Sequence, residues 1–186
     1  MAKTPEKSLP LALELLSSDH RKVEELFREF EDMKEAEDDS RIAVAQKICA
    51  ELTVHAQVEE ELIYPWIREN IDETDMIAEA EVEHASLKQL IAEIEPIGEP
   101  DEAFDAKVKV LGEYIRHHVN EEENEMFPKV RDMQEELDEL GQELAARKAE
   151  IRAEMGLPGE DEGEPGAKAP PGGGKKKPGN SQRASR

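Results

Sequence analysis

The stretch HAQVEEELIYP, residues 55–65, is written a second time as HVNEEENEMFP at residues 118–128. In each copy a histidine is followed by a glutamate four residues on, by an aromatic at nine and by a proline at ten. Four residues is just over one helical turn, so the histidine and the glutamate share one helix face. Proline lacks an N–H and its ring crowds the preceding turn. Pro65 and Pro128 should therefore kink or locally break their helices and free the carbonyls near residues 61 and 124.

Each copy closes a helical hairpin. Periodicity and punctuation place a first helix from about Leu9, with Pro10 in its first turn, to Met33. A second runs from a Ser40 cap to about Asn70, and a third from Asp72 or Asp75 to Glu95, where Pro96 stops it. A long fourth begins at Asp101 and ends at Gly156 and Pro158. Two hairpins in tandem imply an all-α, up-down-up-down four-helix bundle built from a duplicated hairpin. The domain is expected over residues 1–155, with its core at about 8–135 and the fourth helix extending to about 155. Residues 156–186, rich in Gly, Pro and Lys, bury too little apolar surface to offset their ordering entropy and read as a disordered tail.

Charged residues make up 38% of the 186 and aromatics only 4%, which suits helices with thin apolar stripes. The formal net charge is −22; six Lys or Arg stand against four acids after Met155, so residues 1–155 carry about −24. Such a surface repels phosphate backbones, so nucleic acid is not an expected partner, and it attracts cations. The single Cys49 precludes an intramolecular disulfide and reads as a small core residue in a reducing compartment. LPLALELL is short and interrupted by Glu14, and no apolar run approaches the ~18–20 residues of a membrane span. A soluble cytoplasmic protein is expected.

Followed at spacings of three and four, the apolar stripes run Leu13, Leu16, His20, Val23, Phe27; then Ile48, Leu52, His55, Glu59, Leu62; then Ile77, Ala80, His84, Leu87, Ile91; then Val108, Leu111, Ile115, His118, Glu122. Four of the five histidines interrupt the core, one per helix, and two glutamates join them. His20 and His55 lie at equivalent heights around the first turn, as do His84 and His118 around the second. Buried glutamate costs several kcal/mol unless paired or bound to a metal, and no Lys or Arg shares these stripes at that level. Metal ligation satisfies all six groups at once. Four imidazoles and two carboxylates suit a pair of first-row transition ions. RHHVNEEE offers a second register, His117 with Glu121, but only His118 and Glu122 continue from Ile115 and carry the aromatic and proline of the twin frame. His117 sits about 100° around the helix, as a support or at the surface.

DH at 19–20, HAQVEEELIYP at 55–65, EH at 83–84 and HVNEEENEMFP at 118–128 together resemble the hemerythrin family, specifically the bacterial HHE cation-binding domains, over residues 8–135. The resemblance implies a non-haem centre of two iron ions, oxo- or hydroxo-bridged. His20 and His55 would hold one iron, His84 and His118 the other, with Glu59 and Glu122 bridging. The oxygen-carrying hemerythrins have a further histidine one turn before the third-helix ligand; here that position is Ala80, leaving Glu81, water or nothing. Two histidines, two carboxylate oxygens and the bridge leave one open position on each octahedral ion. That favours turnover of small oxidants (dioxygen, peroxide, nitric oxide) in stress defence, including catalase-like peroxide decomposition, over reversible carriage. A non-enzymatic iron or oxygen sensor is the alternative. Tyr114, one turn before His118, could hydrogen-bond a bound ligand.

Overall fold

The computed structural model describes residues 8–33 and 36–159, and among these every regular element is helical. Helix α1 spans Leu11–Asp32 and α2 spans Asp38–Val58; α2 passes through a π-helical turn, Glu59–Ile63, into the short α3, Tyr64–Asn70. Helix α4 covers Thr74–Ile94 and α5 covers Phe104–Glu121; a second π turn, Glu122–Met126, leads to α6, Phe127–Val130. A further helix, α7, runs from Gln134 to Glu154. Residues 160–186, most of the expected tail, lie outside the described residues, as do residues 1–7 and 34–35.

Helix α1 packs on α2 and α5, and α4 on α5 and α2, so the hairpins close the up-down-up-down ring expected of the duplication. Its interior is two apolar clusters. One holds Leu13, Leu16, Val58, Ile63, Ile77 and Met126; the other holds Val23, Phe27, Leu52, Leu87, Leu111 and Ile115. In each long helix of the ring the histidine lies between the two clusters, between Leu16 and Val23 in α1 and between Ala80 and Leu87 in α4. Cys49 is fully buried, and burial with the nearby Glu95 carboxylate pushes its thiol up to about 12, as a structural thiol requires.

The two prolines act where the sequence placed them. Each π turn ends two residues before its proline and is capped by the residue between, with Tyr64 N–H donating to the Glu59 carbonyl and Phe127 N–H to that of Glu122. Widening to i→i+5 absorbs the donor that proline removes without breaking the axis. Each turn also starts on a glutamate of the motif, so the distortion re-aims Glu59 and Glu122 relative to the histidine one turn before.

The long fourth helix is corrected. The chain turns at Arg131–Met133, where Met133 leaves helical geometry (φ −85°, ψ 57°), and α7 folds back against α1 and α2. A continuous helix over residues 104–154 would reach about 75 Å. It would strand the stripe Leu137, Leu140, Leu144 and Ile151 beyond the bundle's end; folding back buries all four. The seam is tight. A Cβ on Gly141 would stand 2.6 Å from the Ala12 nitrogen, so only glycine permits this approach. Asp138 in turn accepts from the Leu11 N–H at 2.8 Å, supplying the cap that Pro10 cannot. Gly156 ends α7 at φ +69°, with Leu157 N–H returned to the Arg152 carbonyl. Starts also shift: Ser40 lies inside α2 rather than capping it, and neither Asp72 nor Asp75 caps α4.

Candidate metal centre

Between the apolar clusters the ring brings His20, His55, Glu59, His84, His118 and Glu122 together, all buried, with Glu59 at 0% and Glu122 at 1% exposure. Ligand atoms of His20, His55, Glu59 and Glu122 lie within 4.8 Å of one another, as do those of Glu59, His84 and His118. The imidazoles pair as expected: the His20 and His55 rings are 4.9 Å apart, and those of His84 and His118 are 4.6 Å apart. Each glutamate spans both pairs. Glu59 Oε2 stands 3.2 Å from His55 Nε2 and 3.4 Å from His84 Nε2. Glu122 turns Oε2 to His20 Nε2 at 3.2 Å and Oε1 to His118 Nε2 at 3.6 Å.

The outward nitrogen of every histidine meets a carboxylate. His20 Nδ1 reaches Glu123 at 2.8 Å, His55 reaches Asp19 at 3.4 Å, His84 reaches Glu60 at 3.0 Å and His118 reaches Glu83 at 2.7 Å. A carboxylate at Nδ1 holds that N–H as donor and turns Nε2 inward, the arrangement that orients imidazole for a metal. The pattern obeys the repeat. The acid preceding each lone histidine (Asp19, Glu83) supports its own hairpin's second histidine. The acid following each buried glutamate of the motif (Glu60, Glu123) supports the lone histidine of the other hairpin. These four supports were not anticipated from sequence, although DH, EH and the doubled glutamates carried them.

The inner face is correspondingly unsatisfied. His20 Nε2, His55 Nε2, both Glu59 oxygens and Glu122 Oε2 are buried without a hydrogen-bond partner. Buried polar atoms are almost always paired, and these five orphans belong to residues whose ligand atoms lie within 4.8 Å of one another, a grouping that could hold a cation. Without one, protons hold the cluster. Burial and the Glu122 charge push Glu59 well above the carboxylate range. Burial would raise Glu122 too, but His118 and His20 hold it low. Burial opposes charging His20, yet Glu122 and Glu123 outweigh it and raise the imidazole to about 10. Divalent cations would replace these protons, and loading would release them. The donor set therefore fits first-row metal ions.

Tyr64, the aromatic of the first frame, was given no role at the site by sequence, yet it is fully buried against it. Its hydroxyl donates to Glu122 Oε1 at 3.3 Å and lies 3.2 Å from His84 Nε2. The matching Phe127 stacks on His20 at 6.1 Å without a hydroxyl, so the halves differ here. Tyr114, in contrast, is half exposed and lines a surface pocket with Val82, Ser86 and His117. Glu81 is also on the surface, in a two-pronged pair with Arg68 at 2.8 Å. His117 is exposed and pairs with Glu121 at 3.1 Å, so that register faces outward. A cavity of about 310 Å³ opens beside the centre, lined by His20, His55, Ile115, Arg116 and Asn120 among others.

Comparison with known proteins agrees with this geometry. Residues 11–130 match the family described as Hemerythrin HHE cation binding domain. A relative named DNA nickase, from Nostoc sp. (strain PCC 7120 / SAG 25.82 / UTEX 2576), is 30% identical over 146 residues, 77% of this chain. The chain spans 40% of that relative's length. No solved structure matches the chain. No helix among the described residues is long and apolar enough to cross a membrane. With the match covering well over half its length, the chain belongs to the hemerythrin family of HHE cation-binding proteins.

Proposed function

We propose that the six buried residues hold two iron ions and that the protein binds or reduces small oxidants, dioxygen or peroxide first among them, in oxidative-stress defence. The observation that carries this is the set of five orphaned inward atoms on His20, His55, Glu59 and Glu122, beside imidazoles whose outward nitrogens already meet carboxylates. When bound, the ions would supply open coordination positions and electrons to a small oxidant. The chain's part is to orient four imidazoles, to keep water out of the His84 and His118 half, and to place the Tyr64 hydroxyl where it donates a hydrogen bond. The cavity beside His20 and His55 gives a small molecule its approach. DNA nicking is the named property of a protein of which this chain spans 40%, and a net charge of −22 opposes DNA binding by this part. A cytoplasmic setting fits the one buried, unpaired thiol.

Anaerobic reduction of the iron-loaded protein, then titration with air and peroxide under absorption spectroscopy, tests the reading. Rapid, repeated peroxide loss is expected; a colourless protein holding only zinc would refute it. One observation favours the sensor alternative: α7 reaches the centre through the buried Lys148, which meets Asp19 at 2.7 Å. A stable adduct that changes α7's protease sensitivity would select that reading.

A further inference from the structure

The four carboxylates behind the histidines are not equally secure. Side-chain exposure is 39% for Glu123, 31% for Glu60 and 21% for Glu83, but 11% for Asp19. Asp19 is also one methylene shorter than its repeat counterpart Glu83, and its contact is the longest, 3.4 Å to His55 against 2.7 Å from Glu83 to His118. A carboxylate so poorly hydrated needs a cation to stay ionised and in place. The cation comes from α7. Lys148, 3% exposed, donates to Asp19 Oδ1 at 2.7 Å while Oδ2 faces His55 Nδ1. Helix α7 lies wholly beyond residues 11–130, the extent of the family match. On the His84 and His118 half the corresponding cation is Lys88, which at 50% exposure grips Glu60 from solvent.

We propose that α7 governs the metal centre through Lys148, a positioning residue: docked, it holds Asp19 against His55 and sets the strength with which the His20 and His55 half binds its ion. The proposal rests on the six-residue site being a metal centre. Undocking α7 would withdraw the lysine and leave Asp19 free to swing off His55, loosening one ion and not the other.

Co²⁺, whose absorption bands report imidazole ligation, is titrated into the full chain against a competing chelator. In Lys148→Met one of the two ions should weaken by roughly 10- to 100-fold, the usual effect of losing a support behind a ligand, while the other is unchanged. Lys148→Arg should restore most of the loss. Lys148→Gln, which keeps the length and loses the charge, serves if the methionine variant does not fold. Arg152→Met is the control, since it cuts the other buried anchor of α7, Arg152 to Glu51 at 2.8 Å. It should lower the melting midpoint and leave both Co²⁺ affinities alone. Lys148 variants that bind both ions as wild type does would overturn the proposal, as would an Arg152→Met whose α7 stays docked by amide exchange and yet weakens binding equally. A wild-type chain that takes up no Co²⁺ would overturn the metal-centre reading itself, and this with it.

Discussion

Stripping the metal should cost this fold a large part of its stability. Chelation leaves His20 Nε2, His55 Nε2, both Glu59 oxygens and Glu122 Oε2 buried without partners. At roughly 1–3 kcal/mol for each such atom, the unrelieved penalty approaches 10 kcal/mol. Protonation relieves part of it, since Glu59 is pushed up by burial and His20 sits at about 10. Mass action gives an independent figure. Each ion held at a hundredfold excess over its dissociation constant contributes about 2.7 kcal/mol, so two contribute about 5. For a domain of this size, at about 2–4 °C per kcal/mol, the midpoint should rise by roughly 10–20 °C on loading. Circular-dichroism melts of chelated and Fe²⁺-loaded protein, both anaerobic, measure it. Amide exchange should slow most in the π turns Glu59–Ile63 and Glu122–Met126, which carry the bridging residues. Equal midpoints would refute the reasoning, because six buried polar groups that gain nothing from a cation do not form its site.

Two further outcomes follow from particular contacts. Tyr64→Phe removes the hydroxyl that donates to Glu122 and makes the first half match the Phe127 half, so it should alter the absorption spectrum of the loaded centre; Tyr114→Phe, on the outer surface, should leave that spectrum unchanged. Burial would raise Glu51, but Arg152 and Lys22 outweigh it and hold the carboxyl below its ordinary 4.5, so its stabilising contribution is complete above that pH and is lost as pH falls below it. Acid melts between pH 5 and 3 should therefore fall less steeply in Glu51→Gln than in wild type, and parallel curves would show that the α7 anchor does not carry the acid loss.

The centre was legible because its six residues break a regular pattern. A histidine or glutamate on an apolar stripe is visible by periodicity alone, and the twin frame separated His118 from His117 without a structure. The supports were harder to see: Asp19, Glu60, Glu83 and Glu123 point outward from the stripe, where acids are unremarkable in a chain this charged. Tyr64 was hidden by the π turn, which rotates residues after Glu59 away from straight-helix spacing and carries the aromatic of the frame into the core. Tyr114, one regular turn before His118, faces out for the complementary reason, since no distortion lies between them. The break before α7 carries no glycine or proline at Arg131–Met133. Only the need of Leu137, Leu140, Leu144 and Ile151 for a surface to cover signalled it, and that need is a property of the folded bundle.

Iron content per chain after anaerobic reconstitution tests the central claim most directly. Two ions are expected in wild type and in His117→Ala, whose ring lies at the surface. Fewer than two are expected in Glu59→Ala and in Glu122→Ala, because each removes a carboxylate that faces both histidine pairs. A wild type that holds one iron or none, or bridging variants that keep two, would contradict the account.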